Sequence, residues 1–218
     1  MTTVIDLKES LAKPRVRNAE ATKARILDAA RKEFARSGLG GARVDVIAEK
    51  AKANKRMIYH YFGSKEGLFQ TVLENAYIDI RTAEQKLNLD HLEPMQALER
   101  LVRFTWGYYL KNPEFITLVN CENLHRAKHL KKSEVVKLYS RKFVAMVENI
   151  LTQGVAAGVF RKGVDPVQLN ITIAAIGYYY ITNRFTGSIL FERDLMAKDA
   201  MDERLRFNID TILRLVSV

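Results

Sequence analysis

The sequence predicts an all-α protein of about nine helices. Apolar residues recur at three- and four-residue steps along nearly the whole chain, and no run alternates as a half-buried strand does. No Asn-Gly or Asp-Gly hairpin signal occurs. Pro14 falls in an N-terminal arm, whereas Pro94, Pro113 and Pro166 stand where new helices should begin. Proline suits a first turn because its missing N–H leaves no intrahelical bond unmade there. The expected helices are 18–37, 44–51, 55–62, 65–88, 94–111, 113–130, 133–157, 166–192 and 197–216. Asp165-Pro166-Val167-Gln168 is the clearest start, with a capping Asp, Pro at the first position and Gln three residues after the cap. Gly38 and Gly158 follow helix ends, where a left-handed residue commonly closes the last turn.

Charge divides this helical chain in two. Residues 1–65 hold 15 Lys and Arg against 7 Asp and Glu, while residues 66–218 hold 20 against 18. Most of the net charge of +10 therefore lies in the first third, as in a polyanion-binding module joined to a near-neutral scaffold. The expected division is an arm over 1–17, a first domain over 18–64 and a larger helical domain over 65–218. The single cysteine, Cys121, excludes an intrachain disulfide and fits a reducing cytoplasm. Met1–Lys13 has no apolar run, so nothing there reads as a signal peptide. The longest uncharged stretch, Val167–Asn183, is interrupted by Gln168, Asn170 and Thr172, too polar to cross a membrane.

Ile26, Ala30 and Phe34 share one face of the first helix, and Val44, Ile47, Ala48 and Ala51 share one face of the second. A break at Lys52-Ala53 leads to Asn54, a good N-cap, and then to the short helix Lys55–Phe62. Two short helices joined by so short a turn and resting on a longer one make a helix-turn-helix. Ile58 and Phe62 point to the core. Lys55, Arg56, Tyr59 and His60 share the opposite face, where cations can donate to guanine O6 and N7 and rings can meet bases or phosphates. Lys65 opens the next helix, and its ammonium with the free N–H groups there can hold a phosphate.

From Arg25 to Phe69 the sequence resembles the TetR family of transcriptional regulators. The resemblance rests on Ala42-Arg43-Val44-Asp45-Val46-Ile47-Ala48 and on the run Ile58-Tyr59-His60-Tyr61-Phe62-Gly63-Ser64-Lys65-Glu66-Gly67-Leu68. It implies Arg43, Asn54, Lys55, Arg56, Tyr59, His60, Tyr61 and Lys65 as DNA contacts. Three departures matter. Ala42 and Arg43 replace two hydroxyl residues and remove a usual cap; Lys52-Ala53 replaces Gly-Val; Asn54 replaces Ser. Lys52 in a left-handed conformation would cost about 1 kcal/mol.

The resemblance also implies an all-helical effector-binding and dimerisation domain, with the last two long helices closing a four-helix bundle between two subunits. Leu169, Ile173 and Ile176 on the first, and Leu205, Ile209, Ile212 and Leu213 on the second, are the stripes expected there, although an intrachain core accounts for part of them. Trp106, Tyr109, Tyr178 and Asn183, with Cys121 and Glu122, are the candidate lining of a small-molecule site. Taken singly, each reads as ordinary packing; the cluster is what suggests a lining. Glu122, His125 and His129 fall at i, i+3 and i+7 and carry metal-binding groups. Arg126, Lys128, Lys131 and Lys132 around them read as a wet basic surface, and no metal is assigned.

Catalysis has little support. The chain lacks HExxH, a Gly-rich phosphate loop and G-x-S-x-G, and Cys121 near His125 has no orienting group or oxyanion hole beside it. A DNA-binding protein governed by a protein partner is the other alternative, against which the aromatic cluster argues. The reading is a cytoplasmic homodimer on palindromic double-stranded operator DNA, most simply a repressor released by a small-molecule effector, with no cofactor required and no membrane partner.

Overall fold

The computed structural model describes residues 13–131 and 133–218, with side chains from residue 19 onward. The described residues form ten α-helices: α1 Lys13–Gly41, α2 Val44–Lys50, α3 Lys55–Phe62, α4 Lys65–Gln85, α5 Pro94–Lys111, α6 Pro113–Leu124, α7 Glu134–Ala156, α8 Pro166–Thr182, α9 Arg184–Leu190 and α10 Lys198–Val216. A single 3₁₀ turn, Leu89–His91, and an isolated bridge between Phe160 and Ser217 complete them. No described helix is long and apolar enough to cross a membrane. Helix α1 begins at Lys13, earlier than the expected 18; residues 1–12 of the expected arm lie outside the described residues.

Where the structure departs from expectation, side chains have taken over backbone partners. Helix α6 stops at Leu124 rather than 130, because the Glu122 carboxylate captures the N–H groups of His129 at 2.7 Å and Leu130 at 3.0 Å. Arg126 and Ala127 turn left-handed beside it, both at φ 55. The expected helix 166–192 breaks at Asn183, whose amide donates to the Tyr179 carbonyl while Arg184 donates to that of Ile181. The Asp165 cap is present as expected, accepting from the Gln168 N–H at 2.7 Å ahead of Pro166.

The chain forms two compact units. The first holds residues up to 73 together with 117–131; the second holds 74–116 and 132–218. Segment 117–131 thus groups with the N-terminal helices, although the division at 64/65 placed it in the C-terminal domain. In the first unit, Ile26, Ala30 and Phe34 of α1 are buried, as are Ile47 of α2, Ile58 of α3 and Phe69 of α4. Phe69 meets Phe34 edge-on at 5.1 Å and His129 edge-on at 5.1 Å. The second unit is a bundle of α5, α7, α8 and α10 around Leu98, Leu101, Val147, Ile150, Leu169 and Ile212. A β-carbon at Gly154 would lie 1.9 Å from the Phe160 ring, so only glycine lets that residue seat on α7.

Candidate nucleic-acid interface and aromatic cluster

The turn between α2 and α3 sets the reading helix. Ala53 N–H donates to the Ala48 carbonyl and Lys52 N–H to that of Glu49, both at 3.0 Å, which is the paired closure of a Schellman motif. Lys52 occupies the left-handed position at φ 49 and so carries the backbone cost that replacing glycine there entails. Asn54 then accepts from the Arg56 N–H at 2.8 Å and starts α3. Ile58 is 0% exposed and anchors the helix, while Tyr59 is 43% exposed on the other side. Lys55, Arg56 and His60 are exposed with Tyr59, and among the described residues none of these four side chains is held in an ion pair or side-chain hydrogen bond. Tyr61 and Phe62 are half-buried, Phe62 less enclosed than a core residue, and the Lys23 ammonium stands 5.8 Å over the Tyr61 ring.

Two other cations are already engaged. Arg43 precedes α2 without capping it and grips Asp45 at 2.6 Å, holding that carboxyl below its ordinary range. Lys65 donates to the Gly40 carbonyl at 3.2 Å. The start of α4 carries an internal anion, since Glu66 is held low by bonds from its own N–H and the Ser64 hydroxyl. Gly67 follows from crowding: a β-carbon there would sit 2.2 Å from the Phe62 carbonyl oxygen. Behind this surface, Glu33 is buried and tied to Arg36 at 2.9 Å and Lys50 at 3.2 Å. Burial pushes its carboxyl upward, but the two cations outweigh that and leave it lowered.

In the second unit, three of the expected lining residues come together. Tyr109 meets Tyr178 edge-on at 6.0 Å and stacks with Phe115 at 6.1 Å, and Trp106 tilts onto Tyr180 at 5.5 Å. Gly177 presents its bare α-carbon to both Trp106 and Tyr109. Burial pushes the Tyr178 hydroxyl up to about 12, and the Tyr109 hydroxyl is raised for the same reason. Asn183 closes α8 instead, with its amide spent on Tyr179. Cys121 and Glu122 group with the first unit, where Cys121 Sγ accepts from the Leu39 N–H at 3.4 Å.

The expected i, i+3, i+7 stripe does not form, because α6 ends before His125. His125 bonds the Cys121 carbonyl at 2.7 Å, and Glu122, 3% exposed, pairs with buried His129 at 2.6 Å. Among the described residues no three such groups converge as metal ligands would. Sequence reasoning missed Arg81 and Glu84, which pair at 2.8 Å inside the second unit. Opposite charges three apart on a helix ordinarily signal a solvated face, and nothing local separates these two from that pattern.

Residues 26–72 match the family model described as "Bacterial regulatory proteins, tetR family", and residues 94–212 match "Tetracyclin repressor-like, C-terminal domain". The chain belongs to the TetR family. It is 42% identical over 200 residues to the HTH-type transcriptional repressor NicS of Pseudomonas putida, covering 92% of this chain and 94% of that relative. It is 39% identical over 132 residues to the HTH-type transcriptional repressor SCO4008 of Streptomyces coelicolor, covering 60% of this chain and 65% of that one. In fold it is similar to a TetR family transcription regulator from Marinobacter aquaeolei VT8, with a TM-score of 0.70 and 17% identity over 93% of this chain and 98% of that one. As a TetR-family member the chain is a DNA-binding transcriptional regulator, and α2 and α3 are its helix-turn-helix.

Proposed function

We propose that this chain is a cytoplasmic repressor that grips a palindromic operator as a homodimer and releases it when a compact, flat-ringed molecule binds the aromatic cluster of the second unit. The observation that carries the DNA half is α3 itself: a buried Ile58 under an exposed row of Lys55, Arg56, Tyr59 and His60, whose side chains make no ion pair or side-chain hydrogen bond among the described residues. Such a row can read base edges, while Arg43 and Lys65 must exchange Asp45 and Gly40 for phosphate to bind it. A relative that matches 92% of this chain, NicS, is named a repressor, which supports that sign of regulation.

Dimerisation is supported by exposed apolar side chains on the last helices. Ile171 and Tyr179 of α8, Phe185, Ile189 and Leu190 of α9, Phe191 after it, and Phe207 of α10 all face solvent in the single chain. Clusters of this kind mark interfaces. A two-fold pair supplies two α3 helices and therefore demands half-sites about 34–36 Å apart or somewhat more. A ligand weakens DNA binding only by preferring the conformation that does not fit the operator. The covalent route is α4, whose residues belong to both units.

Mobility shifts on operator and scrambled duplexes at several salt concentrations test the reading. Arg56→Ala should lose about 1–3 kcal/mol on operator and little on scrambled DNA. Equal losses on both duplexes would remove α3 from base recognition.

A further inference from the structure

The second unit holds a partly buried charge that it does not fully use. Among the described residues, Arg81 of α4 gives one hydrogen bond, from Nη1 to Glu84 Oε2 at 2.8 Å, and lays one face of its guanidinium 4.1 Å over the Phe143 ring. Its Nε–H is buried and, among the described residues, has no hydrogen-bond partner. A buried donor left unmade costs about 1–3 kcal/mol, so such a group survives where something else completes it. The geometry also says which edge is unpartnered. With Nη1 on Glu84 and one face on Phe143, the edge carrying Nε remains, from which a guanidinium offers a two-pronged fork to planar oxyanions.

Glu84 does not neutralise this arginine well. It is 2% exposed, and desolvation lifts its carboxyl to about 7 against the pull of Arg81, so near neutrality it holds a proton much of the time. The guanidinium is then a cation in an apolar setting, short of an anion. Tyr109 lies within electrostatic reach of both Arg81 and Glu84, and the rings of Tyr178 and Phe115 pack against it.

We infer that the effector of this regulator is an aromatic carboxylate whose oxyanion takes the unpartnered Nε edge of Arg81 while its ring lies among Tyr109, Tyr178 and Phe115. This rests on the effector-pocket reading above and deepens it by assigning the ligand's charge and its anchor. An uncharged ring would leave the buried donor competing for whatever weak acceptor the ring carried; a carboxylate satisfies it and balances the charge together.

The test uses the full chain and two probes of nearly equal shape, benzoate and benzamide. The chain's single tryptophan, Trp106, packs on Tyr180 in the same aromatic cluster, so its fluorescence reports occupancy directly. Benzoate should bind roughly tenfold or more tightly than benzamide, the difference expected of a hydrogen bond to a charged group. Glu84→Gln removes the competing carboxylate while keeping the pair's shape, and should strengthen benzoate binding without strengthening that of benzamide. Arg81→Lys, which keeps the charge but loses the fork, should weaken benzoate. Benzamide binding as tightly as benzoate would overturn the anionic assignment and leave the aromatic effector site standing. No fluorescence change with either probe would overturn both. Benzoate binding that neither substitution alters would remove Arg81 as the anchor.

Discussion

Glu84 shows how burial alone makes a residue report on pH. Its carboxyl titrates near 7 in the folded chain against an ordinary 4.5, chiefly through desolvation, with Arg81 opposing. Between those values the folded chain binds more protons than the unfolded one, so this group makes stability fall as pH rises through the window. Its favourable contribution is intact below 4.5 and is gone above about 7. Glu84→Gln should therefore flatten the pH dependence of unfolding across that interval and leave the acid side little changed. Denaturant melts of both proteins on either side of the window measure it; parallel curves would mean that Glu84 does not titrate there. Neither Arg81 nor Glu84 stood out in the sequence. Arg81 lies against Phe143, which is distant along the chain, and no local pattern encodes that meeting.

At the scale of the element, the α2–α3 turn was fully legible, because everything that shapes it lies within a few residues. Asn54 capped as expected, and Lys52 took the left-handed position that glycine usually fills. Replacing Lys52 with Gly should raise the unfolding free energy by about 0.5–1 kcal/mol, since relief of the backbone penalty exceeds the extra freedom of the unfolded chain. Chemical denaturation reads this directly, and a destabilised variant would mean that the lysine side chain contributes more than its strained backbone costs. The helix ends at Leu124 and Asn183 were not legible. Apolar periodicity continues past both, and what stops the helices is a side chain bonding backbone groups: Glu122 in one case, Asn183 in the other.

For the whole molecule, periodicity found the right helices and the wrong faces. Leu169, Ile173, Ile209 and Ile212 are buried within the single chain and Ile176, Leu205 and Leu213 pack partly against the same core, so the expected inter-subunit stripes are the core of the second unit. A repeat of apolar residues says that a side is covered but not by which chain. The exposed side carries Ile171, Tyr179 and Phe207, together with α9, which the sequence did not separate from α8. Phe207→Asp and Ile189→Asp should accordingly give folded monomers that no longer bind operator, whereas Ile209→Asp should fail to fold. Light scattering with circular dichroism distinguishes them, and a wild-type chain that is monomeric at micromolar concentration would contradict the dimer.

Segment 117–131 bears on how such regulators are recombined. The ring of Phe69 is covered on one side by Phe34 and on another by His129, and His129 is held by Glu122. The DNA-reading unit is therefore discontinuous in sequence, assembled from the start of the chain and a piece of its middle. A hybrid regulator spliced after residue 73 keeps Phe69 but inherits a foreign cover in place of His129, and its reading helix then stands on a mismatched foundation. Transplanting operator preference from this protein means transplanting both stretches, or confining the graft to the solvent-facing residues of α3.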